Sequence, residues 1–175
     1  MKIYRTKDIG VIDRLYMEKT GVRQQDLIDR AALAFVQAFI CEEKKPGRVL
    51  VVAGPGNNGS DARSVARLLP EHGWKTDLWD FSDKDMLEGQ QAEWTAYLGT
   101  LSSGIVVVDG LFGSGLTRPV TGPYAQIIEG INSLDTKVYA VDIPSGLPGD
   151  GMPFTSGAVV KASATFTFQF PKLSF

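Results

Sequence analysis

The chain has 175 residues, with 18 lysines and arginines against 20 aspartates and glutamates, and it contains one histidine and one cysteine. A lone cysteine cannot form an internal disulfide, and the two residues together fall short of the about four ligands of a structural zinc site. The formal net charge of −2, without runs of lysine or arginine, argues against nucleic-acid binding, which depends on a basic surface. Chemistry must therefore rest on carboxylates, amides, hydroxyls and backbone groups.

The length suits one domain, and 43% apolar with 22% charged residues is ordinary for a globular protein. The amino-terminal segment has no apolar core of a signal peptide, and no stretch approaches the length of a membrane span. The lone Cys41 suits a reducing compartment. We therefore expect a single soluble, cytoplasmic domain over residues 1–175, with neither nucleic acid nor membrane as a partner.

The first 45 residues have helical rather than strand periodicity. Thr6 is a candidate N-cap for a helix that continues to about Glu18, before Gly21 ends it. A longer amphipathic helix follows and ends before Pro46. Its apolar stripe consists of Leu27, Ala31, Ala34, Phe35, Ala38 and Phe39. We interpret this stripe as a face that packs against the core.

From Arg48 onward, short β-branched runs alternate with helix-like segments. The predicted strands are RVLVVAG, WKTDLWDF, GIVVVDGLFG, KVYAVDIPSG and ATFTFQF, and a helix-like segment follows each of the first three. Strands that alternate with helices predict βαβ units. Such units form a parallel sheet with both faces covered, so the sequence predicts the α/β class.

Three polar, glycine-rich loops each follow the carboxyl end of a predicted strand, over residues 54–61, 110–124 and 142–151. Open α/β sheets bind ligands in the crevice outside those strand ends. We therefore expect the three loops to converge on one site.

The first loop matches the G-x-G-x-x-G pattern of dinucleotide-binding proteins through Gly54, Gly56 and Gly59, before a helix that opens near Ser60. These glycines permit positive φ and a close approach of the backbone to an anion. Asp80 ends the next predicted strand, at the position of a ribose-binding acid.

Other features of the first loop fit a plain dinucleotide site badly. Asn57 and Asn58 place two amides inside the loop, and Asp61 in the first helical turn would repel a pyrophosphate. Asp61 alternatively serves as a partner of the helix dipole. A P-loop is excluded, because no Gly-Lys-Ser/Thr sequence follows.

The second loop combines the strand-terminal Asp109 with one cation, Arg118. Arg118 either pairs bidentately with a phosphate or is a solvated surface arginine. Asp109 either belongs to the site or caps the local backbone.

The third loop ends an apolar strand with Asp142 and Ser145. A carboxylate at the mouth of a buried strand is a candidate general acid or base. Asn58, Asp109 and Ser145 offer hard oxygen donors, which suit an alkali or alkaline-earth ion rather than zinc.

Four longer motifs occur in order along the chain: VVAGPGNNGSDARSVARLL, VVDGLFGSGLTRPVTGPYAQIIEGIN, AVDIPSGLPGDG and TFTFQFPKL. In this order and spacing, the chain resembles the NAD(P)H-hydrate epimerase family, the YjeF N-terminal domain. The resemblance implies a three-layer αβα Rossmann-like sandwich with a mostly parallel central sheet and amino-terminal helices, assembled as a homodimer. It also implies an isomerase that interconverts the R and S epimers of NADH and NADPH hydrated at C6 of the reduced ring, supported by a potassium ion.

The same resemblance assigns residues to roles. Potassium would fall to Asn58, Asp109 and Ser145, and Asp142 is our candidate for proton transfer, through either an iminium ion or ring opening. The residues implied in substrate binding are Asn57, Asn58, Gly59, Ser60, Asp61, Gly113, Ser114, Gly115, Leu116, Thr117, Arg118, Pro119, Tyr124 and Asp142.

The chain departs from the family pattern in two places. Ser60 and Ala62 stand where the first loop of the family usually has glycines, and a left-handed φ at either would cost about 1–2 kcal/mol. Family domains usually continue past the PKL motif, and many bacterial members add a dehydratase domain, so we interpret the chain as a fragment or a shortened homologue. Two alternative functions stay open: a non-catalytic nucleotide-binding or protein-interaction module on the same fold, and an NAD-dependent oxidoreductase.

Overall fold

A computed structural model describes residues 4–175, apart from the side chain of Lys7. The α-helices are α1 (Thr6–Thr20), α2 (Gln24–Glu42), α3 (Asn57–Leu68), α4 (Leu87–Gly99) and α5 (Pro123–Asn132). The strands are β1 (Arg48–Ala53), β2 (Lys75–Asp80), β3 (Val106–Gly110), β4 (Val138–Val141) and β5 (Ala164–Phe166). A short 3-10 helix, Leu69–His72, continues α3. In this part of the chain, no helix is long and apolar enough to cross a membrane.

The five strands form one sheet in the order β2-β1-β3-β4-β5, and every neighbouring pair is parallel. In the middle of the sheet, Val51 of β1 lies between Leu78 of β2 and Val108 of β3. The strand order reverses between β1 and β3, because the chain first moves to one side of β1 and then to the other. Such a switch point leaves a crevice outside the carboxyl ends of β1 and β3, where ligands bind in α/β proteins.

Helices α2 and α3 cover one face of the sheet. Phe35 and Phe39 of α2 and Val65 of α3 pack in one buried cluster with Val51 and Val108. Alternate strand residues point to opposite faces, so this cluster takes the odd-numbered positions of β1.

Helices α4 and α5 cover the other face. Trp94 of α4 and Ile127 and Ile131 of α5 pack against Leu50 and Val107 in a second buried cluster. The predicted three-layer αβα sandwich with a parallel sheet is therefore confirmed.

The packing of the long amino-terminal helix differs from the predicted stripe. Ala34 is exposed, whereas Ala32 and Val36 are fully buried together with Phe35 and Phe39. The buried set has the spacing i, i+3, i+4, i+7 of a helix face, displaced around the helix from the stripe that the sequence suggested.

The predicted N-cap at Thr6 is wrong, because Thr6 is the first helical residue of α1 and Arg5 occupies the cap position. The backbone N–H of Thr6 donates instead to the carboxylate of Asp150, at 2.9 Å. This partner lies 144 residues away, so local sequence could not reveal it.

The last strand is also shorter than the predicted ATFTFQF, because β5 ends at Phe166. Thr167 and Phe168 donate to the side chain of Asp142 rather than continuing the sheet. Gln169 then adopts a φ of 57°, which turns the chain back toward the sheet.

Candidate active site

A cavity of about 610 Å³ lies at the carboxyl ends of the strands. The loop after β1, the loop after β3, Asp142 after β4 and the segment after β5 all contribute to its walls, and α1 and α2 close one side. The structure thus brings residues of all three predicted loops to one place, at the switch point of the sheet.

The predicted substrate-binding residues divide into two groups. Those that line the cavity are Asn57, Asn58, Asp61, Gly113, Ser114, Gly115, Leu116 and Asp142. Those that lie outside its lining are Gly59, Ser60, Thr117, Arg118, Pro119 and Tyr124. The roles of both groups in binding stay predictions.

Two residues of the second group have other surroundings. Tyr124 donates its hydroxyl to the carbonyl of Phe81 at 3.0 Å and packs its ring against Phe112. Arg118 is exposed to solvent. The single histidine and cysteine, His72 and Cys41, are also exposed and lie outside the cavity lining.

The glycines of the first loop serve backbone packing. A Cβ on Gly54 would overlap the carbonyl of Leu111, and a Cβ on Gly59 would overlap the carbonyl of Gly54. Gly56 has a φ of 90°, a conformation that favours glycine. The close approaches that Gly54 and Gly59 permit are therefore contacts within the protein, with the loop after β3 and within the first loop respectively.

Helix α3 begins earlier than predicted, at Asn57 rather than near Ser60. Asn57 and Asn58 therefore belong to the first helical turn, and Asp61 lies beyond that turn. The predicted pairing of Asp61 with the helix dipole in the first turn is not favoured by this placement, because the dipole effect falls off within one turn.

Ser60 and Ala62 do not adopt the left-handed conformation that would cost free energy, since both have helical backbones in α3. The hydroxyl of Ser60 donates to the carbonyl of Gly56 at 3.2 Å, and Ala62 is fully buried in the core. Neither side chain lines the cavity. The departures from the family pattern therefore leave the shape of the cavity unchanged.

Asp80 is engaged within the protein. Its carboxylate accepts a hydrogen bond from Arg63 at 3.1 Å and another from the backbone N–H of Ser82 at 3.0 Å. Asp80 does not line the cavity. The position of the ribose-binding acid in a dinucleotide site is thus taken up by an internal ion pair.

The three predicted oxygen donors are Asn58, Asp109 and Ser145. Asp109 is fully buried at the end of β3. Its Oδ1 accepts from the hydroxyl of Ser145 at 2.6 Å, and its Oδ2 accepts from the backbone N–H of Ser145 at 2.8 Å. Asn58 donates its amide to the carbonyl of Phe112 at 2.9 Å, and Ser145 accepts from the N–H of Phe112 at 2.8 Å. Asn58, Asp109 and Ser145 therefore meet around the backbone of Phe112.

Burial raises the pKa of Asp109 to about 6, and its hydrogen bonds with Ser145 and Leu111 offset part of this effect. None of the ion pairs within residues 4–175 includes Asp109. A buried carboxylate without a cation beside it is costly, so this donor set has the chemistry of a site for a hard cation.

Asp142 follows β4 in a strained backbone conformation. Its φ is 64°, and Ile143 donates its N–H to the carbonyl of Val141 at 2.7 Å, which closes a three-residue turn around Asp142. A non-glycine residue in this region costs about 1–3 kcal/mol and is found preferentially at functional sites. The turn leaves the Asp142 side chain on the wall of the cavity.

Lys172 is a site residue to which the sequence reasoning gave no role. Its ammonium lies 2.6 Å from Oδ1 of Asp142, and the residue is only 4% exposed. The PKL motif that contains Lys172 supported the family resemblance, and a lysine within a motif was the available signal.

Asp61 is another charged group of the cavity, on the inner side of α3. Burial and, to a smaller extent, the negative charges of Asp142 and Asp13 together raise its pKa to about 7. Asp61 therefore exchanges a proton near neutral pH, as a general acid or base must.

The fold and the cavity define a doubly wound α/β protein of the 2-1-3-4-5 order, with a cavity lined by carboxylates at its switch point. Residues 24–174 match the family described as "YjeF-related protein N-terminus". The chain belongs to this family.

Individual proteins are similar over most of the chain. An NAD(P)H-hydrate epimerase of Levilactobacillus brevis is 35% identical, covering 87% of this chain and 76% of its own length. A bifunctional NAD(P)H-hydrate repair enzyme Nnr of Thermofilum pendens is 34% identical over 99% of this chain, which spans 36% of that relative. The crystal structure of yeast ynu0 has a TM-score of 0.81 at 24% identity, covering 99% of this chain and 82% of that one, which shows the shared fold.

Proposed function

We propose that the chain is an NAD(P)H-hydrate epimerase, which interconverts the R and S epimers of NADH and NADPH hydrated at C6. The observation that carries this proposal is Asp142, a strained carboxylate on the wall of a cavity at the switch point of the sheet. Relatives at about one third identity bear this name, and the cavity lies in the part of the chain that matches them.

The reaction requires a proton donor and acceptor near one carbon. In one route, the hydroxyl on C6 takes a proton and leaves as water, while the ring nitrogen forms an iminium; water then adds to the other face and releases a proton. In the other route, the hydroxyl loses its proton, the electron pair of the bond from C6 to nitrogen passes to the nitrogen, and the nitrogen takes up a proton. The ring then recloses on the other face as the nitrogen gives up its proton and the aldehyde oxygen regains one. In both routes, substrate and product contain the same number of protons and electrons.

The carboxylates of the cavity suit this exchange. Oδ1 of Asp142 accepts three hydrogen bonds from the protein, whereas its Oδ2 accepts none from the described part of the chain. Asp61, with a pKa of about 7, supplies protonated and ionised forms together near neutral pH. Asp142 thus offers an oxygen to the substrate, and Asp61 is a second group able to carry the proton.

We infer that potassium is the cofactor, held by Asn58, Asp109 and Ser145. The support is a donor set made only of oxygen and amide groups around one buried carboxylate. When bound, the ion would supply positive charge beside Asp109. Replacing Asp109 with Asn is expected to raise the potassium concentration for half-maximal activity at least tenfold, measured with choline chloride holding ionic strength constant.

The proposal is tested by incubating the protein with the R epimer of hydrated NADH and following the S epimer by chromatography. We expect conversion that is faster in potassium chloride than in lithium chloride. Nucleotide binding without conversion would favour the non-catalytic module. Hydride transfer from unhydrated NADH to an added carbonyl compound would favour the oxidoreductase, which the Arg63–Asp80 pair does not support.

We also infer a homodimer. The support is an apolar stripe on α1 whose side chains are exposed by about two fifths to a half: Val11, Ile12, Leu15 and Tyr16. Such a stripe is a candidate contact for a second copy of the chain. Sedimentation equilibrium is expected to give a dimer for the native chain and a monomer for Leu15→Glu, and a monomeric native chain would contradict the inference.

A cytoplasmic location is part of the same proposal, because the exposed thiol of Cys41 suits a reducing compartment. Fractionation of cells that express the tagged chain is expected to recover it with cytoplasmic markers, and recovery with secreted proteins would contradict this.

A further inference from the structure

Lys172 is buried in the segment that follows β5, although a lysine is almost never buried without a partner. Oxygen atoms surround its ammonium: Oδ1 of Asp142 at 2.6 Å, the hydroxyl of Thr167 at 3.1 Å, and the carbonyls of Phe168 at 3.2 Å and Phe170 at 3.1 Å. The ammonium has three hydrogens to donate, so these acceptors use its full capacity. Lys172 therefore acts within the protein and has no free proton for a substrate.

The same contacts fix one side of Asp142. Its Oδ1 accepts from Lys172, from the backbone N–H of Phe168 at 2.9 Å and from the hydroxyl of Thr167 at 3.2 Å. Thr167 and Phe168 follow β5 directly, and the chain turns at Gln169 before it reaches Lys172. The other oxygen, Oδ2, receives no hydrogen bond from the described residues and belongs to a side chain on the cavity wall.

We propose that Lys172 is a positioning residue for the epimerisation, which clamps Oδ1 of Asp142 so that Oδ2 is presented to the substrate. This inference rests on the proposed function. Among the described residues that line the cavity, Lys172 is the only lysine or arginine, whereas Asp13, Asp61 and Asp142 are carboxylates. The charge of Lys172 therefore offsets repulsion that would otherwise turn Asp142 away from its neighbours.

A positioning role predicts a specific pattern in kinetics. Lys172→Met is expected to lower kcat by about 10- to 100-fold and to change KM less than about threefold, because substrate contacts remain while Asp142 loses its orientation. Lys172→Arg keeps the positive charge and is expected to recover part of the lost kcat. The matched control is Lys137→Met, which removes the ion pair with Glu43 at the opposite edge of the sheet and should leave kcat unchanged.

A double-mutant cycle separates positioning from a structural role. If Lys172 acts through Asp142, the double variant Asp142→Asn/Lys172→Met has the same kcat as Asp142→Asn alone. If Lys172 only supports the fold, the two losses multiply. Should Lys172→Met fail to fold by circular dichroism, the cycle is run with Lys172→Gln, which keeps a hydrogen-bond donor without the charge.

The outcomes distinguish the two proposals. A native protein that makes no S epimer overturns the proposed function and the positioning role together. A native protein that is active, with an unchanged kcat in Lys172→Met or losses that multiply in the cycle, overturns the positioning role alone.

Discussion

The carboxylates at the amino ends of the parallel strands (the amino edge) and those at their carboxyl ends (the carboxyl edge) have different surroundings. At the amino edge, carboxylates lie in ion pairs: Asp77 with Arg48 at 2.7 Å and Glu43 with Lys137 at 2.7 Å. The Lys137 ammonium and then the Tyr139 hydroxyl hold the pKa of Glu43 below its usual value. Neither Asp77 nor Glu43 lines the cavity.

At the carboxyl edge, burial raises the pKa of Asp61 to about 7 and that of Asp109 to about 6, and none of the ion pairs in residues 4–175 contains either group. Two other carboxylates at this edge are paired, Asp80 with Arg63 and Asp142 with Lys172, and Asp142 adds a left-handed backbone. Unpaired buried carboxylates and strain cost stability, and proteins retain such features mainly at functional sites. The contrast therefore supports the proposed site at the carboxyl edge.

The largest effect is expected from matched carboxylate changes at the two edges. Asp142→Asn should lower kcat by about 10²–10⁴-fold, the contribution typical of a general acid or base, while asparagine tolerates the left-handed backbone and keeps the fold. Asp77→Asn at the amino edge should leave kcat within about twofold. Equal losses of kcat in the two variants would remove the functional contrast between the edges.

A steric change at the carboxyl edge should have the next largest effect. Gly59→Ala places a methyl group against the carbonyl of Gly54, so unfolding in urea should show a loss of about 3 kcal/mol or more. Gly89→Ala is the control, because its Cβ meets no atom within 4 Å in the exposed part of α4. This control should gain about 0.5–1 kcal/mol from helix propensity, and an equal loss in both variants would contradict the packing account.

We expect the ionisation of Asp61 to make the free energy of unfolding depend on pH. Its pKa is higher in the folded protein, about 7, than its ordinary value of 3.8, so its contribution to stability is lost as pH rises toward and through 7. Asp61→Asn removes this loss and should be more stable than the native protein by about 4 kcal/mol at pH 8, with a smaller difference at pH 5. Urea unfolding at both values tests this, and a difference independent of pH would contradict it.

The smallest effect concerns the departures from the family pattern. Ala62 is buried in the middle of α3, so Ala62→Gly should cost about 1 kcal/mol through lost helix propensity and lost burial. Because the Ala62 side chain lies outside the cavity, kcat/KM should stay within about twofold of the native value. A large gain in kcat/KM would instead mean that the alanine obstructs the substrate.

Much of the fold could be predicted because it follows from periodicity. Continuous apolar runs such as the one around Val51 mark strands buried on both faces, and their alternation with helices fixes a parallel sheet. The convergence of the three loops follows from the same argument, since parallel strands end at one edge. Helix boundaries could be predicted less well from the sequence. At Thr6, for example, the N–H is capped by Asp150, which only the tertiary fold brings near.

The site could be predicted only in part. Residue chemistry and strand ends group Asn58, Asp109 and Ser145, and hydrogen bonds connect them through Phe112 in the structure. Their role as potassium ligands stays a prediction. The left-handed turn at Asp142 and its clamp by Lys172 could not be derived, since each depends on how the segment after β5 folds back. Such contacts between distant segments leave no periodic pattern in the amino-acid sequence.

We propose that the reduced ring reacts beside Asp142 at the carboxyl edge. A crystal structure of Asp142→Asn with hydrated NADH would show where the ring lies, because the variant should bind the substrate without turning it over. We expect the ring in the cavity, with its C6 hydroxyl within about 3 Å of the residue 142 side chain. A ring bound elsewhere, with C6 far from residue 142, would rule out this role of Asp142.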